Sequence, residues 1–529
     1  MFFLNSGSKI FMWLPLSLID IISIRLRCYN YIIPLHFIDL PTTKDLCPPT
    51  DTLQKTYIFG FVGGLYQVIE DGILTYDNQS LNWKVSDNWQ DLWNMQTTAS
   101  IPSPVIWAEQ GDHLYITLIN LGMPVSKLND PHTIHLHGAH AATQLDGFPE
   151  SSFSVPMWMG PTEVPPTATY YFMPEHPGTY MYHCHVEASE HVQMGMYGAL
   201  VIYPSVKSLA EASIERDHCG CWYYKGEVQK QIPRYASHRN FAYNNIMTYF
   251  DKEYVMLLSD IDLKWHQTVQ TTVETGITFN ASDFKPNFWL LNGRAFPDTL
   301  LPHPQTPPVG SNPNLTQINY ETYVHVKTDE KFLLRMINMG YQVVPWHIHG
   351  WHFTVIGKDA HPSPFLTIAQ EIDKMSMDKC GRSTMSMNHD MMEMGFTETI
   401  GSGESHDLLL TADNKEPLYG RYIFQGQDMI PSLCEQMAEI QAVDPMLIAD
   451  IPTQPVSCRN TKTVNYVNLC AKHEFFPQFY PMHNHDDYKV TNTNTLETPA
   501  FSNYPGGQLT MIQTDAPSCD KQDEHMNEQ

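Results

Sequence analysis

The sequence predicts an all-β protein made of two antiparallel sandwiches in tandem, on three observations. From Tyr57 onward apolar and polar residues alternate in short runs broken by Gly, Pro and Asn, as between Pro104 and Asn120, which is how half-buried strands joined by turns read. A histidine-rich pattern occurs twice, once in each half of the chain, as in a duplicated domain. With 529 residues, 42% of them hydrophobic and only 17% charged, the chain can bury two cores and is neither collagen, coiled coil nor generally disordered.

Residues 1–45 are a separate apolar segment. The run from Ile10 to Ile24 follows Lys9 and is interrupted by Pro15 and Asp20, so it resembles an imperfect signal sequence and is short for a membrane helix. An uncleaved N-terminal membrane anchor and a misassigned start remain open alternatives. The expected location is extracytoplasmic: secreted, periplasmic or at the cell surface. The first sandwich is expected over residues 46–206. Residues 207–249 turn charged and polar and read as a linker, and the second sandwich follows over 250–515 with a long insertion at about 361–476. Residues 516–529 are an acidic tail.

Thirty-one Lys and Arg against 57 Asp and Glu give a net charge of −26. That charge repels phosphate backbones and anionic lipid and attracts cations, so nucleic acid is not an expected partner. The 25 His and 27 Met are abundant in the donor types copper prefers. The ten cysteines match no zinc spacing. With Cys184 set aside as a ligand and Cys28 as part of the N-terminal segment, an even number remains for a disulfide framework of undetermined pairing, or for free thiols.

The repeat carries the chemistry. In the first half His132, His135, His137 and Gly138 are followed by Tyr180, His183, Cys184 and His185; in the second, Val344, His347, His349 and Gly350 are followed by Tyr480, His483, Asn484 and His485. Residues i and i+2 of a strand share a face, so each His-x-His pair aims two imidazoles at one place. Four pairs offer eight nitrogens, a set suited to several copper ions. Gln425 and Gln427 could align with the second pair, but neutral amides are poor copper ligands. Around Cys184 stand His132, His191 and Met196, the two-His, one-Cys, one-Met set of a blue electron-transfer copper. His183 and His185 flank Cys184 directly, which gives an electron a short bonded path from the thiolate to the histidine cluster.

These residues resemble the multicopper oxidases, a family built from cupredoxin domains (Greek-key β-sandwiches), over about residues 55–205 and 250–515. The resemblance implies a type 1 copper held by His132, Cys184, His191 and Met196. It implies one type 2 and two type 3 coppers held by His135, His137, His183, His185, His347, His349, His483 and His485, four coppers per chain in all. Electrons from a phenol-like substrate or a metal ion would reduce dioxygen to water. Val344 and Asn484 stand where His132 and Cys184 stand, so the second domain lacks a type 1 site. That layout resembles the small two-domain laccase-like members, which form homotrimers with the cluster shared between subunits. Glu187 matches the acid that supplies protons near the cluster in relatives, and Asp146 resembles an aspartate that supports a cluster ligand. Copper-containing nitrite reductases share the layout but need only three His at the catalytic copper. A cuprous or other metal-ion oxidase is the other alternative. Seven Met and one His between residues 375 and 394 form either a Cu(I)-docking segment or a packing loop.

Overall fold

The computed structural model describes residues 8–25, 53–64, 66–69, 72–77, 82–86, 90–93, 99, 101–122, 130–216, 218, 222–224, 227–228, 232–275, 283–300, 320–366, 368, 393–413, 477–493, 502–503 and 505–516. They form two β-sandwiches, as the alternation predicts. In the first, a sheet ordered Leu53–Gly64, Ser8–Arg25, His113–Ile119, Thr167–Phe172 faces a sheet ordered Ser103–Glu109, Tyr197–Tyr203, Gly178–His183, His135–His137. In the second, Phe288–Leu291, Lys252–Ile261, Lys331–Asn338, Ser405–Thr411 and Phe353–Lys358 face Val324–Lys327, Leu509–Asp515, Gln478–Asn484, Val344–Ile348 and Thr397–Ile400.

The internal repeat is a repeat of register. His183 pairs across the antiparallel ladder with His135, and His483 pairs with His347. Each central strand is flanked by a strand that in turn runs parallel to its outer neighbour, Tyr197–Tyr203 with Ser103–Glu109 and Leu509–Asp515 with Val324–Lys327. Gly138 and Gly350 close the two motifs with φ of +85° and +79°, and the ring of Tyr180 or Tyr480 packs where a Cβ would project. The His-x-His-Gly pattern with its downstream Tyr is thus a backbone requirement as well as a ligand arrangement.

Both faces of several strands are buried because the two sandwiches pack on each other. Tyr182, Leu200 and Ile202 enter the first core while Met181, Ala199, Val201 and Tyr203 enter an apolar seam with Val255, Leu257, Leu333 and Ile337 of the second domain. Fully buried Arg335 lies in this seam, donating to Glu253 Oε2 at 2.8 Å and to Thr179 Oγ1 at 2.9 Å. Asp407 accepts from Thr179 Oγ1 and Tyr243 Oη, both at 2.6 Å.

Three stretches differ from the compositional reading. Ser8–Arg25 is a strand between Leu53–Gly64 and His113–Ile119 rather than a segment apart from the fold. Residues 207–249, expected to be a linker, include a packed unit around Leu209, Ile214, Trp222, Phe241 and Tyr249, whose apolar residues lack any regular period. The expected insertion at 361–476 contains Thr397–Ile400 and Ser405–Thr411, which are strands of the second sandwich. The Met-rich segment up to Met392, the Gln425 and Gln427 pair, the acidic tail from residue 517 and every cysteine except Cys184 lie outside the described residues. Among the described residues, no helix is long and apolar enough to cross a membrane.

The packed unit is pinned to the first sandwich by charge. Arg239 donates twice to Glu109 Oε1, at 3.0 and 2.6 Å, and His238 stands 3.2 Å away. The close approach of His238 outweighs burial and, with Arg239, holds the Glu109 carboxyl down at about 2. A carboxyl depressed on folding stabilises above its unfolded value and loses that contribution as pH falls through the folded one. Glu109→Gln is therefore expected to lower stability at pH 7 by about 1–2 kcal/mol after screening is allowed for. Denaturant unfolding should show the gap from wild type narrowing as pH falls from about 4.5 to about 2.

Candidate metal centre

The structure assembles two kinds of donor cluster. In the first, the strand Gly178–His183 ends just before Cys184, and a turn leads into the short helix Ala188–His191, which brings His191 back over the sulfur. His132 arrives through an isolated bridge to Val155. The Nδ1 atoms of His132 and His191 lie 3.8 and 3.3 Å from Cys184 Sγ. Cys184 and His191 are completely buried, His132 nearly so, and Met196 is buried in the same core. Met196 accepts at its carbonyl from Cys184 N at 3.0 Å and donates to His191 O at 3.0 Å, which locks the loop into a ring of backbone contacts. Burial alone would raise the Cys184 thiol, but the His191 charge and the bonds from both histidines hold it down at about 5. Burial likewise disfavours a charged His191, and Cys184 and Asp130 together raise it well above the ordinary imidazole value. A buried thiolate with two Nδ1 atoms directed at it is a soft, preformed donor set that fits copper.

The second kind of cluster occurs twice. His135, His137 and His183 present nitrogens within 4.8 Å of one another, and the His185 ring lies 5.1 Å from that of His135. In the other domain the His347 ring lies 4.7, 5.6 and 5.0 Å from those of His349, His483 and His485. Neutral backbone acceptors orient the rings. His135 Nδ1 donates to Asp146 O at 2.7 Å and His183 Nδ1 to Cys184 O at 2.9 Å. His347 Nδ1 donates to Phe396 O at 2.6 Å and His483 Nδ1 to Asn484 O at 2.9 Å. Each such bond fixes a tautomer and leaves Nε2 as the lone-pair donor. Across each group the nitrogens meet, His137 Nδ1 with His183 Nε2 at 3.2 Å and His349 Nε2 with His483 Nε2 at 3.1 Å. Burial and neighbouring histidines push His183 down to about 3, and burial also lowers His135, His137, His349 and His483. Neutral imidazoles crowded this closely are ready to bind a cation without first losing protons.

The Cys184 counterpart in the second domain is filled by hydrogen bonding. Asn484 is fully buried, donates to Gln508 Oε1 at 2.8 Å and accepts from Asp486 N at 3.0 Å. Val344, at the position of His132, is buried in the apolar core of the same domain.

Among the described residues, ring contacts run within each quartet and none joins the two. His137 instead approaches the Gly403 turn of the second domain, where a Cβ would meet its ring at 3.3 Å. Exposed aromatics border both quartets: Phe148 lies 4.8 Å from the His185 ring and Phe396 lies 5.9 Å from that of His347.

The two proposed acids fall in different places. Asp146 does sit at a cluster ligand, chiefly through its backbone carbonyl, its carboxylate being 3.9 Å from His135. Glu187 lies toward the sulfur site. The strand has ended by His183, and Glu187 takes a left-handed conformation (φ +42°) at the start of the helix. Its exposed carboxylate therefore joins Asp130 and His191, all within 4.8 Å, on the other side of the sulfur site. Asp130 itself was not singled out from the sequence. Its position two residues before His132 gives no periodic signal, because the contact is made by the fold.

Residues 74–206 match the family model described as multicopper oxidase. Over 102 residues the chain is 35% identical to copper resistance protein A of Escherichia coli, covering 19% of this chain and 14% of that protein. Over 148 residues it is 30% identical to the copper-containing nitrite reductase of Alcaligenes xylosoxydans xylosoxydans, covering 27% of this chain and 39% of that one. The chain therefore spans well under half the length of either curated relative. A blue copper oxidase from Nitrosomonas europaea aligns with 78% of this chain and 77% of its own, at 21% identity and a TM-score of 0.41.

Proposed function

We propose that this chain, whose residues 74–206 match the multicopper oxidase family model, is an extracytoplasmic oxidase that takes single electrons from a reducing substrate and passes them to dioxygen. The observation that carries the reading is the repeated register: two histidine quartets on equivalent strands, with one buried thiolate between His183 and His185. Bound copper would supply one-electron redox chemistry at Cys184 and four-electron reduction of dioxygen at the histidines. The residues do the rest. Cys184, His132, His191 and Met196 would hold the electron-entry metal, and their burial would keep it away from water. The peptide bonds from Cys184 to His183 and His185 connect it to the first quartet. Burial lowers His135, His137, His183, His349 and His483, which favours the neutral, metal-binding form of these five. Reduction of one dioxygen also consumes four protons, and the solvent-facing edges of His349 and His485 leave the second quartet open to water.

That no ring contact joins the two quartets of one chain among the described residues supports a cluster completed head to tail, the first quartet of one subunit against the second quartet of its neighbour in a homotrimer. Exposed Phe148 and Phe396 supply apolar surface at both faces. A nitrite reductase is favoured by one relative's name but, needing only three His at its catalytic copper, leaves five of the eight quartet histidines, His185 among them, without a purpose.

The test is copper per chain in the copper-reconstituted protein, with oligomeric mass taken on the same sample. Four coppers per trimeric chain is the expected result. Two would move the reading to a nitrite-reductase-like enzyme, and one to an electron carrier.

A further inference from the structure

His191 differs from the hydrogen-bonded cluster ligands in what lies behind it. His135, His183, His347 and His483 are backed by neutral carbonyls. His191 Nε2 donates instead to a carboxylate, Asp130 Oδ2, at 3.1 Å, with no exposure of the imidazole and 14% of the aspartate. Asp130 is fixed in turn. Asn120, fully buried, donates from Nδ2 to Asp130 O at 2.7 Å and to Val155 O at 3.0 Å, and accepts from Gly122 N at 2.9 Å. Val155 is the residue bridged to His132, so one amide ties the backbones behind both imidazoles of the sulfur site.

We infer that Asp130 is a positioning residue of the electron-entry site: its carboxylate holds His191 as the Nε2–H tautomer with Nδ1 on Cys184, and its charge favours the more oxidised state of a metal bound there. The inference rests on the copper reading of that site given above. A carboxylate accepting from a ligand imidazole fixes the ring and raises its basicity, and such partners commonly contribute 10–100-fold to metal affinity or activity. Because the ring has no exposed edge, an electron donor meets Asp130 and Glu187 before it meets His191.

The test is the reduction potential of the copper-loaded full chain, titrated at its blue absorption band in wild type, Asp130→Asn, Asp130→Glu and Glu187→Gln. Asp130→Asn is expected to raise the potential by at least a tenfold change in the oxidised-to-reduced ratio, about 59 mV for one electron. Asp130→Glu should recover most of the shift. Glu187→Gln removes a nearby charge without touching the His191 bond, and should move the potential far less. If Asp130→Asn fails to fold, Asp130→Ser carries the same comparison. An unchanged potential without the carboxylate, or an equal shift from Glu187→Gln, overturns the inference. A wild-type protein with no blue band would instead overturn the copper reading itself.

Discussion

Cys184→Ser is expected to abolish the blue absorption and lower oxidase turnover by at least about 10³-fold, while three of the four proposed coppers per chain remain bound. The reasoning starts from the buried thiol. It lies in the core with His132 and His191 on either side, is held down at about 5, and is a thiolate at neutral pH. A serine hydroxyl in the same place stays protonated and is a hard, weak ligand. It also removes the metal–sulfur bond through which the entry site would reach the peptide links to His183 and His185. The substitution is close to isosteric, so the fold should survive at a cost of about 1–3 kcal/mol for a poorly partnered hydroxyl. Turnover with the same donor would decide against electron entry at Cys184. Copper analysis on the same sample separates that outcome from general loss of metal.

Much of this site was legible in the sequence because a strand has an exact two-residue period. His135 and His137, or His347 and His349, must share a face once their segments are strands, and no tertiary information is needed to say so. The same rule bears on Glu187. Its spacing from His185 would place it with the ligands only if the strand continued, and the chain instead turns at residues 184–187 into a helix. Asp130 illustrates a different limit, since its bond to His191 spans 61 residues and depends on how two loops are tied by Asn120. In the fold, alternation exposed the sandwiches but not their mutual packing. Strands such as Tyr197–Tyr203 are buried on both faces, one toward each domain. The 207–249 unit was hidden because Trp222, Phe241 and Tyr249 make their cluster from short turns with no repeating pattern. Composition read those turns as a linker.

Two inactive variants mixed together are expected to recover activity. His137→Asn should disable the first quartet and His349→Asn the second, each leaving the blue site intact, because neither residue is among the groups near Cys184 Sγ. If each cluster forms head to tail, a mixed trimer contains one interface that pairs an intact first quartet with an intact second quartet, and random assembly from equal amounts of both variants restores about a quarter of wild-type turnover. The structural basis is that the quartets within one chain share no ring contact among the described residues, while each carries exposed aromatic surface at its edge. The experiment is refolding or co-expression of the two variants, followed by isolation of the trimer and oxygen-uptake measurement with copper counted. A cluster built within one chain predicts no recovery at any mixing ratio, because every subunit then carries its own damaged ligand. Recovery near a quarter, absent when either variant is refolded alone, would place the oxygen-reducing cluster between subunits and make assembly a condition of activity. Mixing at unequal ratios sharpens the distinction: the recovered fraction should follow the product of the two variants' mole fractions, with its maximum at equal amounts.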